Sequence, residues 1–184
     1  MENISIAVHL AEGFEEIEAV AIIDVLRRAG FDVKTISITG KTEVSGSHLI
    51  KIITDELFEN IDYETIDIII LPGGMPGSKN LNEHAGLREQ ILNFNEKGKY
   101  LGAICAAPLV FGNLGILKNK KATCYPGYEN QLHGAVVTGE KTEVSGNIIT
   151  GKGAGVAIEF ALKIVETIKG ESFATELARK MIVD

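Results

Sequence analysis

Among the side chains able to do chemistry without a cofactor, one cysteine stands in a context that changes its reactivity. In Tyr100-Leu101-Gly102-Ala103-Ile104-Cys105-Ala106-Ala107-Pro108-Leu109, an apolar run of strand character meets a segment able to start a helix. A residue at such a strand-to-helix turn is forced into a sparsely populated backbone conformation that lifts its side chain above the sheet, as in a nucleophile elbow. Gly102, Ala103, Ala106 and Ala107 are small enough to permit the turn. Pro108 suits a first helical turn, where its missing N–H has no partner to lose. The unpaired N–H groups and positive end of that helix would favour thiolate over thiol. Cys105 is therefore a candidate nucleophile, the alternative being a small buried apolar side chain.

An ordinary thiol, with a pKa near ~8.5, is only a few per cent ionised at neutral pH, so a working nucleophile needs that value lowered. Glu15, Glu16 and Glu18 fall where a first βα turn would open onto the same sheet edge as Cys105. A charged carboxylate beside the sulfur would oppose the thiolate, whereas a protonated one could donate a hydrogen bond to it, and the two would titrate jointly. The alternative is that these acids simply suit a helix N-terminus. Pro72-Gly73-Gly74 also reads two ways. The N–H groups of Gly73, Gly74 and Ala106 could form an oxyanion hole, or the glycines could be a plain turn. No dinucleotide or phosphate-loop fingerprint occurs, so no nucleotide cofactor is expected. Gly151-Lys152-Gly153-Ala154-Gly155 either holds an anion or packs a helix closely on its strand. His9, His48, His84 and His133 lack ligand spacing, and no metal is expected.

The elements that must position these groups follow from hydrophobic periodicity and stop signals. Strands are expected over Ile4–Leu10, Phe31–Ile38, Asp67–Leu71, Tyr100–Ile104, Ala122–Tyr125, Val136–Thr138 and Ile148–Thr150. Helices are expected from about Glu15 to Ala29, Glu83 to Lys97, Ala154 to Ile168 and Ser172 to Met181, with Gly30 and Gly98 as stops. Lys41–Ile53 reads as a hairpin. The hexapeptide Lys-Thr-Glu-Val-Ser-Gly occurs at both Lys41 and Lys141, which suits shared turn chemistry better than a duplicated unit. Alternating strands and helices predict a doubly wound α/β sandwich, with ligands beyond the carboxyl ends of the strands.

Composition bounds the rest. At 184 residues and 45% hydrophobic content, one domain spanning 1–184 is expected. Eighteen basic against 25 acidic residues give a net charge of −7, which argues against nucleic acid or an anionic membrane as partner. The start at Met1 shows no charged leader, and no apolar run approaches the roughly 18 residues of a membrane span. A cytoplasmic location is expected, with Cys105 and Cys124 as free thiols.

Taken in order, Gly13-Phe14-Glu15-Glu16-Ile17-Glu18, Asp24-Val25-Leu26-Arg27-Arg28-Ala29-Gly30, Leu71-Pro72-Gly73-Gly74, Ala103-Ile104-Cys105-Ala106-Ala107-Pro108 and Gly155 with Glu159-Phe160-Ala161-Leu162 resemble the ThiJ/PfpI superfamily. Within it they are similar to the DJ-one-like branch of Parkinsonism-associated, deglycase-like proteins. The resemblance covers nearly the whole chain. It implies a flavodoxin-like sandwich with a mostly parallel central sheet and helices on both faces. It also implies a homodimer through the first helix, with Arg27 and Arg28 near the interface. At the site it implies an oxidation-prone Cys105 bonded to a protonated Glu18, with Gly73, Gly74 and Ala106 as backbone donors.

Ala106 stands where the protease-like branch carries a histidine, so a Cys-His protease is not expected. Tyr125 stands where animal members carry a histidine, and His48 where they carry an arginine; with Glu15 they are candidate pocket residues. The expected function is cofactor-independent processing of small dicarbonyls, glyoxalase- or deglycase-like, by Cys105 and Glu18. The alternatives are an oxidative-stress sensor or chaperone acting through Cys105 sulfinic acid, and a dimeric scaffold with an inert thiol.

Overall fold

Every residue of Ser5–Leu10 is buried, and this strand, β1, lies inside the sheet of the computed structural model, which describes residues 4–183. Helix α1 (Glu16–Arg28) follows; Ala19, Ile22, Val25 and Leu26 recur at helical spacing and form its buried face. Strand β2 (Asp32–Ser37) pairs parallel to β1. The chain then makes the small hairpin β3 (Glu43–Ser45) and β4 (Lys51–Ile53), and the two-residue edge strand β5 (Glu56–Leu57). Strand β6 (Ile68–Leu71) returns to the other side of β1. Helices α2 (Gly77–Glu83) and α3 (Ala85–Glu96) lead to β7 (Tyr100–Ile104), and α4 (Pro108–Asn113) follows the cysteine. Strands β8 (Lys121–Ala122) and β9 (Val136–Val137) pair apart from the main sheet. The hairpin β10 (Thr142–Ser145) and β11 (Ile148–Gly151), then α5 (Ala157–Lys169) and α6 (Glu171–Lys180), complete the chain.

The seven-stranded sheet runs β10-β11-β7-β6-β1-β2-β5, parallel except at β10. Its two faces bury separate cores. Leu87, Ile91, Phe94 and Phe111 cover one face, and Ile22, Leu26, Phe160 and Ile164 cover the other. This is the expected flavodoxin-like, doubly wound α/β sandwich. The connections after β1 and β6 diverge at their carboxyl ends, where Gly13–Glu15 and Pro72–Gly74 meet in one junction, the Glu15 N–H donating to the Gly73 carbonyl. The elbow after β7 lies beside it.

Local boundaries differ from expectation in instructive places. The helix expected over 83–97 is α3, and α2 before it was not expected; the two are separated at His84, which is extended (ψ 103°) and caps α3 by accepting the Leu87 N–H on its Nδ1 at 3.0 Å. The strand expected over 122–125 stops at Ala122; the Thr123 N–H bonds Thr150 Oγ1 and the Tyr125 N–H bonds the Cys105 carbonyl instead of a ladder partner. The first turn of the helix expected from Ala154 is a 3₁₀ turn, with α5 starting at Ala157. Both copies of the hexapeptide lie in hairpins, of separate sheets. Residues 1–3 and 184, including the expected leaderless start at Met1, lie outside the described residues.

Phe160 couples α5 to the strands that hold the elbow, its ring lying where a Cβ on Gly102 or Gly151 would be, at 3.3 and 2.8 Å. Phe160→Ala leaves a cavity at this junction, and urea denaturation should show a loss of about 3–5 kcal/mol.

Candidate active site

Cys105 has φ 64°, the left-handed region that an L side chain enters at a cost of order 1–3 kcal/mol. The surroundings impose this conformation. The Cys105 N–H donates to the Gly151 carbonyl at 2.9 Å, and the Cys105 carbonyl accepts from the Tyr125 N–H at 2.8 Å. Pro108 opens α4 as expected, and the Ala107 N–H turns back to the Ile104 carbonyl at 3.0 Å. Against the thiol lies Gly73, where a Cβ would stand 2.6 Å from Cys105 Cβ and 2.7 Å from Glu18 Oε2. Only glycine lets three segments meet there.

Glu18 has no exposed surface. Its Oε2 accepts the Gly73 N–H at 2.7 Å, and its buried Oε1 has no hydrogen-bond partner. The Cys105 thiol is the other group in hydrogen-bonding contact with the carboxyl. Burial, aided by the charge of Glu15, raises the Glu18 pKa from 4.5 to about 7, against the bonds from Cys105 and Gly73. A protonated Glu18 is neutral in this burial, whereas an ionised one leaves Oε1 as a bare buried anion.

The expected lowering of the Cys105 pKa is corrected. Burial, then the charge and hydrogen bond of Glu18, push the thiol up to about 12, against the N–H groups of Gly74 and Ala106. Helix α4 has six residues, and its entry turns only the Ala106 N–H to the sulfur. The Gly73 N–H is engaged by Glu18 and is not a donor to the sulfur. Two ionised groups in this contact repel, so the dyad titrates as a unit that keeps one proton.

The other candidates surround this dyad. Glu15 caps α1, its Oε2 accepting the Glu18 N–H at 2.7 Å, and its own N–H donates to the Gly73 carbonyl at 2.9 Å. Buried Glu16 points away, to the turn after β3, where it accepts from the His48 N–H at 2.6 Å, His48 Nδ1 at 2.8 Å and Ser47 Oγ at 3.2 Å. Burial would raise its pKa, yet these bonds hold it at about 2. His48, 70% exposed, is raised by the same pairing. Among the described residues, Glu15, Glu16 and His48 form the one grouping with metal-ligand spacing, their ligand atoms within 4.8 Å. Each already has a protein partner, so the grouping is a clasp between α1 and the hairpin turn. Tyr125 is half exposed and contributes its N–H to the elbow. Cys124 is buried, and burial raises its thiol to about 11. Arg27 and Arg28 pair within the chain with Asp55 and Asp24. The sequence offered no signal for the Gly151 carbonyl as an elbow anchor, because every residue carries one.

Residues 4–167 match the model of the DJ-1/PfpI family. The chain belongs to the DJ-1/PfpI family. It is 37% identical to DJ-1 homolog B of Arabidopsis thaliana over 97% of its own length and 41% of the plant protein's. The chain thus spans less than half of that relative. It is 35% identical to the Caenorhabditis elegans glutathione-independent glyoxalase DJR-1.2, covering 92% of this chain and 91% of the relative. The structure of oxidised Toxoplasma gondii DJ-1 superposes with a TM-score of 0.94 at 35% identity, covering 98% of each chain.

A raised Glu18 pKa makes stability pH-dependent with a definite sign. The folded chain holds this proton more tightly than the unfolded one, so the contribution of Glu18 to stability is fullest below about 4.5 and is lost as pH rises through about 7. Urea unfolding at pH 4.5, 6 and 8 should therefore show wild type losing stability relative to Glu18→Gln as pH rises, and a difference that stays constant with pH removes the buried proton.

Proposed function

We propose that this DJ-1/PfpI protein converts small 2-oxoaldehydes to 2-hydroxy acids, with Cys105 as nucleophile and Glu18 as proton carrier. The observation that supports it most is the buried, oxygen-unpartnered Glu18 Oε1 in a dyad with a half-buried thiol. Once Glu18 holds the proton, the repulsion of its charge is gone and its hydrogen bond favours thiolate, beside the N–H groups of Gly74 and Ala106. The thiolate pair forms a C–S bond to the aldehyde carbon, and the resulting alkoxide takes a proton from Glu18, giving a hemithioacetal. Glu18 then removes the hydrogen on that carbon as a proton, and a proton returns at the neighbouring carbonyl carbon. The product is a 2-hydroxy thioester, which water hydrolyses to free the thiol. One carbon is oxidised and its neighbour reduced, so no external oxidant is required.

The Caenorhabditis relative carries a glyoxalase name, which favours this chemistry over proteolysis. No histidine follows Cys105 to serve as a protease base. The protein acts as a homodimer through α1, a reading supported by exposed Ile17 and Val20 on α1 and Ile53 on β4. Among the described residues no helix is long and apolar enough to cross a membrane. A cytoplasmic location suits two free thiols.

Cys105→Ala should abolish lactate formation from methylglyoxal, while Cys124→Ala keeps most of it; equal activity in both would sink the proposal. Alkylation of wild-type Cys105 should rise with a midpoint near 7, where the dyad loses its first proton. In Glu18→Leu the midpoint should move to that of an ordinary thiol or higher, and equal midpoints would remove Glu18 from the mechanism.

A second reading, a peroxide sensor, is favoured by the oxidised state of the Toxoplasma relative. Under mild peroxide, mass spectrometry should find oxygen on Cys105 before Cys124. The reverse order would count against it.

A further inference from the structure

The left-handed Cys105 peptide is gripped at both ends, and both grips lead to β11. The first is direct: the Gly151 carbonyl accepts the Cys105 N–H at 2.9 Å. The second arrives through a side chain. Tyr125, whose N–H holds the Cys105 carbonyl at 2.8 Å, lies two residues beyond Thr123, and the Thr123 N–H donates to Thr150 Oγ1 at 3.0 Å. Thr123 Oγ1 in turn donates to the Glu140 carbonyl at 2.7 Å, which ties the same loop to the chain before β10. Neighbouring residues of one strand thus set the two ends of the strained peptide, Gly151 through its backbone and Thr150 through its hydroxyl.

Thr150 does not need a hydroxyl to be a strand residue. It is 1% exposed, pairs with Ala103 of β7 in the parallel ladder, and follows the apolar Ile148 and Ile149. Valine has the same shape and suits a strand as well, and a buried hydroxyl is costly unless it is bonded. The bond it makes is to the backbone of Thr123, a residue that is itself fully buried, where the chain leaves the β8 ladder after Ala122.

We propose that Thr150 is a positioning residue for the reactive cysteine: its hydroxyl oxygen holds the 123–125 loop so that the Tyr125 N–H keeps the Cys105 peptide left-handed, with the thiol beside Glu18. The groups that act on the sulfur are Glu18 and the N–H groups of Gly74 and Ala106, so Thr150 acts only through the elbow. An L residue at positive φ stays there only while its surroundings determine it. Without the Thr150 oxygen the buried Thr123 N–H has no acceptor; the loop shifts to find one, and the Tyr125 bond to Cys105 goes with it. The elbow then relaxes and the thiol leaves its contact with Glu18. This deepens the preceding proposal and rests on it for turnover, though not for the reactivity of the thiol.

The test compares Thr150→Val, which keeps the shape and removes the oxygen, with Thr150→Ser, which keeps the oxygen; thermal melting confirms that both fold. Iodoacetamide should alkylate Cys105 of Thr150→Val at least threefold more slowly than wild type at pH 7, with the midpoint of the pH profile moved toward that of an ordinary thiol. Thr150→Ser should restore both. With methylglyoxal, kcat should fall at least fivefold in Thr150→Val while KM stays within twofold of wild type, because the hydroxyl is buried away from substrate. A lower melting temperature with an unchanged or raised alkylation rate, or a serine variant as impaired as the valine one, overturns the inference. If wild type turns over no methylglyoxal, the enzymatic proposal fails and alkylation decides the role of Thr150 by itself. Should Thr150→Val fail to fold, Thr123→Val takes its place, removing only the side-chain bond to the Glu140 carbonyl. It should slow alkylation at least twofold, and an unchanged rate overturns the inference.

Discussion

A buried carboxyl set beside a strained cysteine elbow is the constraint around which this molecule is organised. Glu18 has no solvent to stabilise its charge, and the sulfur beside it has two backbone N–H groups and little else. Neither group alone is placed like a reactive one: the carboxyl is too buried to ionise easily, and the thiol facing a carboxylate holds its proton.

The fold enforces that contact through its topology. Glu18 sits in the first turns of α1 after β1, Gly73 in the turn after β6, and Cys105 at the turn after β7. These three strands are consecutive in the parallel sheet, so their carboxyl ends bring three sequence-distant turns to one place. Glu15 ties two of them by capping the helix that carries Glu18 and bonding the Gly73 carbonyl. Gly151 on β11 and Tyr125 on the loop after β8 fix the third. The left-handed Cys105 is thus held by bonds from both sides, and its strain persists because the surrounding sheet determines it.

Around this dyad the surface divides by polarity. Toward the hairpin turn, Glu16 collects three donors and holds His48 over α1, a structural clasp. Toward β11 the lining becomes glycine, valine and an aromatic ring. Tyr125 belongs to the second side by its ring and to the elbow by its backbone.

The sequence alone carried the main elements of the parallel sandwich and the strand-to-helix turn at Cys105. Periodicity, glycine stops and small residues around one cysteine report local conformation, and the family pattern supplied the carboxyl partner. It did not carry the break at His84, the loss of strand after Ala122 or the engagement of the Gly73 N–H by Glu18. Those depend on backbone groups that every residue shares, whose partners are chosen only when distant strands align. The direction of the thiol pKa was likewise decided by tertiary structure. A helix N-terminus can be read from the order of residues, but desolvation and the charge of a carboxyl 87 positions away act through space, and here they outweigh it.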